Sequence, residues 1–442
     1  MAALAARGYR VAPFKVGPDF IDPGHHARIT GRAGRNLDGW MLSKAYNRSC
    51  FYADIRQADV AVVEGVMGLY DGYDGRSEAG STAQMARWLG LPVVLVVDAA
   101  GMARSAAAIV NGFESFDPDL SFAGVVFNNL GSRGHFQYLK EAVSDRVCMP
   151  CIGGVLRNAA ITIPERHLGL VTRDEHVISS EKADGLAALI EESVDLDALL
   201  ERLPAIEPEV PDVVRQKRFS GKSARIGIAR DKAFCFYYRD NLELLEAYGA
   251  EPVYFSPLED RSLPENLDGI YLGGGYPELF ARRLSENRAM RRHIRQLSRE
   301  GMPIYGECGG FMYLCEKICD DGNRAWPMTG CFPFTTRMFT RLKALGYREV
   351  VISRDTIIGN AGLRIRGHEF HYSGIKGDPC RHPVKNVYQV SARAGMEKTP
   401  EGYQVGRTLG SYNHLHFGSR PEAAMHFVEH CVKYGQERAK QT

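Results

Sequence analysis

A cysteine stands in a glycine-rich frame in Gly306-Glu307-Cys308-Gly309-Gly310, and the chain changes character on either side of it. Pro303-Ile304-Tyr305 ahead of the frame reads as a short buried strand, whereas Phe311 to Cys315 behind it restores helical spacing. A G-x-C-x-G frame at such a junction is a nucleophile elbow, because glycines allow a sharp strand-to-helix turn without Cβ clashes. The thiol is expected to stand exposed above the sheet at the positive end of a helix, and both effects favour thiolate. A thiol nucleophile needs an imidazole that takes its proton and later delivers one to the leaving group. Ser411-Tyr412-Asn413-His414-Leu415-His416-Phe417 offers two imidazoles, His414 and His416, on the same face of a strand. A third stretch, Asp268 to Glu278, runs as a strand into Gly273-Gly274-Gly275. Backbone N–H groups of that glycine nest, centred on Gly274, together with the amide of Gly309, could meet an oxyanion.

A second group of chemistry-bearing residues lies near the start of the chain. Tyr9 to Val16 reads as a strand and leads to Asp19 and Asp22, while the apolar run Val60 to Val63 ends at Glu64. Open α/β sheets bind ligands where strands end. Carboxylates placed there either cap and solvate turns or hold magnesium against nucleotide phosphates, and spacing alone leaves both readings open.

Apolar runs at Val93 to Val97 and Gly124 to Phe127 continue the N-terminal pattern, with helical stretches between them. Strands alternating with helices mean a parallel α/β sheet. From Asp195 to Ser223 the chain turns to Glu, Pro, Arg and Lys, the composition of a semi-rigid linker. A second α/β set opens at Ala224 to Ala229 and continues through a helix at Asn241 to Tyr248 and strands at Pro252 to Phe255 and Gly269 to Leu272.

With 442 residues, two domains are the natural expectation. Basic and acidic residues number 55 and 53, a net charge of +2, which gives no reason to expect nucleic acid or an anionic membrane as partner. No apolar run reaches the ~18 residues of a membrane span, and no signal-peptide pattern opens the chain, so the cytoplasm is expected. The ten scattered cysteines fit reduced thiols, with Cys315 and Cys319 one helical turn apart in the core. Cys148 and Cys151 have C-x-x-C spacing but lack the second pair of a zinc ribbon. His368-Glu369-Phe370-His371 is one residue short of H-E-x-x-H, so zinc is not expected there. Gly221-Lys222-Ser223 imitates the end of a Walker A loop, but Gln216 occupies the position of its first glycine and a charged linker precedes it.

The three C-terminal stretches resemble a class I glutamine amidotransferase domain of the cobyrinic acid type, with a flavodoxin-like fold. The resemblance implies Cys308 as nucleophile and His414 as the residue that raises its reactivity. Triad-type relatives carry a Glu two residues after the histidine; here that residue is His416, so a Cys-His dyad is expected. The N-terminal stretches Pro13 to Pro23, Gly31-Arg32, Asn36 to Asp38, Glu64 to Gly72 and Arg166 to Leu170 are similar to the synthetase domain of the cobyrinic acid a,c-diamide synthase family. That domain implies a dethiobiotin synthetase-like P-loop fold using ATP and magnesium. Asp19, Asp22 and Glu64 would surround the metal and phosphates, with Lys15 and Asp71 near the nucleotide phosphates and reacting groups. The implied layout is a synthetase domain over 1–200, a linker over 201–223, an amidotransferase domain over 224–435 and a frayed polar tail over 436–442.

The implied reaction activates a carboxylate as an acyl phosphate, which ammonia from glutamine converts to an amide. Expected substrates are cobyrinic acid or a related tetrapyrrole, glutamine and ATP, with a homodimer as one open assembly. Hydrogenobyrinic acid and nickel-sirohydrochlorin are alternative macrocycles, and a partition-type P-loop ATPase would lack Cys308 and His414. The family begins with a strand and Walker A loop ahead of the helix that opens this chain. The natural protein is therefore expected to be longer. Taken literally, the sheet would expose two apolar edges and bind ATP poorly, leaving a glutaminase-only or non-catalytic partner as the alternative.

Overall fold

Runs of valine and isoleucine bounded by glycine and proline become strands in both halves of the chain. The computed structural model describes residues 1–158, 178–207, 223–320, 322–377, 379, 384–391 and 398–440. Arg166 to Leu170 and Gly221-Lys222 lie outside the described residues. The chain divides into two units, Met1–Val214 and Arg215–Thr442. Among the described residues no helix is long and apolar enough to cross a membrane.

In the first unit the described residues form strands β1 Val11–Val16, β2 Arg35–Leu37, β3 Val60–Glu64, β4 Val93–Asp98, β5 Phe122–Leu130 and β6 Cys151–Leu156, parallel to their sheet neighbours. Helices at Lys44–Ile55, Thr82–Leu89 and Arg133–Ser144 each start from a serine, Ser43, Ser81 or Ser132, whose hydroxyl accepts an amide N–H of the first turn. The parallel α/β pattern expected from the sequence is present. The described residues arrange these strands in two three-stranded sheets, β2-β1-β3 and β4-β5-β6. β4 is an edge strand of its sheet, with Val96 61% exposed.

The second unit is built on one ten-stranded sheet. Its parallel part comprises β7 Ala224–Ala229, β8 Ala250–Phe255, β9 Gly269–Leu272 and β10 Ile304–Glu307 in the order β8-β7-β9-β10, a flavodoxin-like arrangement. The helix expected to continue past Leu314 stops there. Cys315–Cys319 is a strand, β11, in a small sheet with β12 Ala325–Pro327, β13 Phe332–Met338 and a later strand at Ser373–Ile375. The main sheet continues through β14 Ala344–Ile352, β15 Arg364–His371, β16 Lys385–Ser391, β17 Thr399–Val405, β18 Thr408–Ser411 and β19 His414–Leu415. β18 lies parallel to β10, while β19 pairs with β15 at the far edge. Residues 412–413 thus step from a strand inside the sheet to its edge strand, and the Leu415 N–H bond to Glu307 ties that strand to the end of β10. The C-terminal helix runs Glu422–Ala439, so most of the expected frayed tail is its last turn, fastened where Arg438 meets Asp268 at 3.0 Å.

Glu401 on β17 holds that step in place. Its carboxylate accepts from the Ser411 hydroxyl at 2.6 Å, the Tyr412 N–H at 2.9 Å and the Asn413 side-chain amide at 3.1 Å. Burial pushes its carboxyl up to about 7 despite these donors, with Glu369 adding to the effect. A folded value above the unfolded one means that folding favours the protonated form. That contribution is present in full below the unfolded value of 4.5 and is lost as pH rises through 7. Between pH 4.5 and 8 the unmodified protein should therefore lose more unfolding free energy than Glu401→Gln, by at most about 3 kcal/mol, in urea titrations. Parallel pH profiles for the two proteins would contradict this.

Candidate active site

β10 ends at Glu307, and Cys308 follows with a φ of 45°, a left-handed conformation that non-glycine residues rarely adopt. Its N–H donates to Ser411 O at 2.7 Å, and Gly310 has no room for a side chain against the Leu272 carbonyl. These contacts hold the elbow that the glycine frame predicts. The thiol, however, is not exposed: Cys308 is 6% accessible, and its sulfur lies 4.0 Å from Phe370 O on β15. Burial pushes the thiol well above its ordinary range, Glu278, Glu369 and Glu307 add to this, and the Gly309 N–H opposes it. The helix that follows, Gly309–Leu314, is under two turns long, too short for its dipole to reverse the effect. Burial thus favours the neutral thiol, against the expectation that the elbow favours thiolate.

His414 sits against the glycine nest. A side chain at Gly274 would collide with the His414 ring, and one at Gly309 would stand 3.0 Å from the Gly275 nitrogen. Gly274 donates its own N–H to Phe236 O at 3.1 Å, so it makes room for the imidazole but does not face an oxyanion. The amide beside the thiol is that of Gly309, and the Gly275 nitrogen, one residue beyond the expected position, lies close to Gly309. His416 is not equivalent to His414. Its Nδ1 accepts from the Gly418 N–H at 3.1 Å and its ring packs 4.3 Å from Tyr238, both structural contacts.

Two groups near the pair were not recognised from sequence as part of it. His368 on β15 stacks on His414 with ring centroids 4.8 Å apart, and burial, with His414 and His416 nearby, keeps it well below the ordinary histidine range. Glu369 is held at 2.7 Å by both Arg348 and His371. The signal for this stretch was polar residues on both faces of a strand, which is unusual unless the strand lines a site. The other group is Glu307, whose carboxylate lies 3.9 Å from His414 Nδ1. A charged residue closing an apolar strand beside the nucleophile was its signal.

In the first unit the expected phosphate-site residues meet at the end of β1. Lys15 is 3% exposed, and its ammonium lies 2.5 Å from Asp22, 3.3 Å from Glu64 and 3.6 Å from Asp19. Burial alone would depress the lysine, but Glu64, Asp22 and Asp19 together raise it. His26 joins them, with Nε2 2.6 Å from Glu64. Among the described residues no three His, Cys, Asp or Glu groups form a ready-made metal cage. The carboxylates close on Lys15 instead. Their oxygens are the hard donors magnesium takes, and they already converge on a cation, so the donor set fits that ion. Asp71 joins none of these ion pairs. It lies on the exposed turn after β3, its N–H donating to Gly68 O at 3.0 Å.

The chain is similar to proteins of known family in both halves. A family model described as the CobB/CobQ-like glutamine amidotransferase domain matches residues 225–422, and one for the CobQ/CobB/MinD/ParA nucleotide binding domain matches residues 1–171. A cobyrinate a,c-diamide synthase of Syntrophotalea carbinolica is 47% identical over 97% of this chain and 94% of its own length. The proteins of the same name from Leptospira interrogans (strain Fiocruz L1-130) and Salmonella typhimurium are each 43% identical, over 97% and 96% of this chain and 93% and 92% of their own lengths. The chain belongs to the cobyrinate a,c-diamide synthase family.

Proposed function

We propose that this protein amidates the a and c acetate side chains of cobyrinate, using ATP to activate each carboxylate and glutamine as the nitrogen source. The main support is the elbow that carries Cys308 beside the Gly309 amide, with His414 against Gly274 and near Glu307, in a chain 47% identical to a cobyrinate a,c-diamide synthase. In the second unit His414 takes the Cys308 proton, and the thiolate attacks the glutamine side-chain amide. The N–H groups of Gly309 and Gly275 receive the oxyanion, and His414 returns the proton to departing ammonia. Water then hydrolyses the thioester.

In the first unit Asp19, Asp22 and Glu64 would hold magnesium, with Lys15 turned toward the nucleotide phosphates and Asp71 near the reacting carboxylate. Magnesium, when bound, neutralises phosphate charge as the γ-phosphoryl group moves to the substrate. A carboxylate is a poor electrophile, so the acyl phosphate is what makes attack by ammonia feasible.

Chromatography of the corrinoid products separates the two half-reactions. Cys308→Ala should lower glutamine-dependent amidation by about 10³-fold or more while leaving amidation from ammonium salts intact. An equal loss with both donors would overturn the division of labour. Gly274→Ala should follow the same pattern, because the added methyl displaces the His414 ring. By contrast, Glu64→Gln should reduce amidation with either donor by roughly tenfold or more, and added magnesium should recover part of the loss. If glutamine-dependent turnover alone fell, Glu64 would not belong to the ATP site.

A further inference from the structure

Glu307 is 1% exposed, and each of its oxygens is engaged. Oε1 accepts from the Tyr305 hydroxyl at 2.7 Å and the Leu415 N–H at 3.1 Å. Oε2 accepts from the Tyr271 hydroxyl at 3.0 Å and lies 3.9 Å from His414 Nδ1. A carboxylate loses its hydration on burial, and three donors replace only part of it. The side that remains faces an imidazole that becomes a cation once Cys308 gives up its proton. On the other faces of that imidazole stand His368, stacked on it, and Gly274, which brings no charge.

We propose that Glu307 is the third member of the thiol–imidazole pair: a positioning residue that orients His414 and stabilises the imidazolium formed when Cys308 is deprotonated. It acts through two routes, the Leu415 backbone and the Nδ1 edge of the ring. The carboxylate that triad relatives carry two residues after the histidine is thereby supplied from the residue before the nucleophile. Glu307 takes up no proton in these steps. The Cys308 proton moves to His414 Nε2 and then to ammonia, while Nδ1–H stays directed at Glu307. A separation of 3.9 Å is an ion-pair distance and not a hydrogen bond; catalytic contacts of this kind commonly tighten once substrate is bound. The inference rests on Cys308 and His414 being nucleophile and base.

Glu307→Gln keeps the shape and removes the charge, whereas Glu307→Asp keeps the charge on a shorter arm. Glutaminase kcat should fall about 100-fold or more in Glu307→Gln, with KM within about threefold, and recover at least about tenfold in Glu307→Asp. The acid limb of kcat/KM should move to lower pH in Glu307→Gln, as expected of an imidazolium without its anion. Ammonia-dependent amidation should match the unmodified enzyme in both variants. A kcat within about threefold of normal with an unmoved limb would overturn the proposal, as would equal losses in the Gln and Asp variants. If position 307 does not tolerate change, the intact chain labelled with ¹⁵N-histidine gives an independent reading, with His414 assigned by difference against His414→Gln. The Nδ1–H tautomer supports the proposal and the Nε2–H tautomer overturns it. Should Cys308→Ala and His414→Gln abolish glutaminase activity while Glu307→Gln keeps it, only this inference fails. Were all three active, the reading beneath it would fail too.

Discussion

The second unit depends on a buried carboxylate that joins three strands at one point. Glu307 receives hydroxyls from Tyr271 on β9 and Tyr305 on β10, and a backbone N–H from Leu415 on β19. A buried charge is tolerated only when paired or richly hydrogen-bonded, so each donor constrains where its strand can lie. β19 carries the histidine, and β10 runs directly into the cysteine. The same carboxylate thus fixes the base relative to the nucleophile. Cys308 in turn sits at a φ of 45°, a conformation that costs on the order of 1–3 kcal/mol and persists only where its surroundings impose it. Here they include the Ser411 carbonyl, which accepts the Cys308 N–H, and the close approach of Gly310 to β9.

Burial of the thiol sets the chemistry. Burial under β15, with the charges of Glu278, Glu369 and Glu307, pushes the thiol toward its neutral form, and neutral buried thiols react slowly with adventitious electrophiles. Its reactivity depends on a partner that removes the proton at the moment of attack. That need places the functional weight on His414 and on whatever steadies its charge. In the first unit the logic is reversed. Three carboxylates surround one ammonium, leaving an excess of negative charge at the end of β1 that favours a further cation.

The local features were legible in the sequence because short-range sterics decide them. The elbow follows from glycines flanking Cys308, and Asp19 and Asp22 follow from a turn after an apolar strand. What could not be read is set by distant segments. Nothing near Cys308 announces that Phe370 will cover its sulfur, so the thiol was expected to be exposed and ionised. Gly274 was placed in the oxyanion nest, but its N–H is taken by Phe236 from another loop, and Gly275 takes the position beside Gly309. Cys315 to Cys319 carries helical spacing, yet pairs with β13 as a strand, because tertiary pairing outweighs local propensity. Lys15 lies inside the carboxylate cluster, a placement that depends on β1 and β3 lying side by side and is not visible in local spacing.

The most direct measurement is to treat the protein with the glutamine analogue 6-diazo-5-oxo-L-norleucine, which alkylates a thiolate generated at a glutamine site, and to map the adduct by peptide mass spectrometry. The account predicts one adduct per chain, on Cys308 among the ten cysteines, blocked by excess glutamine. Labelling of another cysteine, or none under conditions where glutamine is turned over, would contradict it.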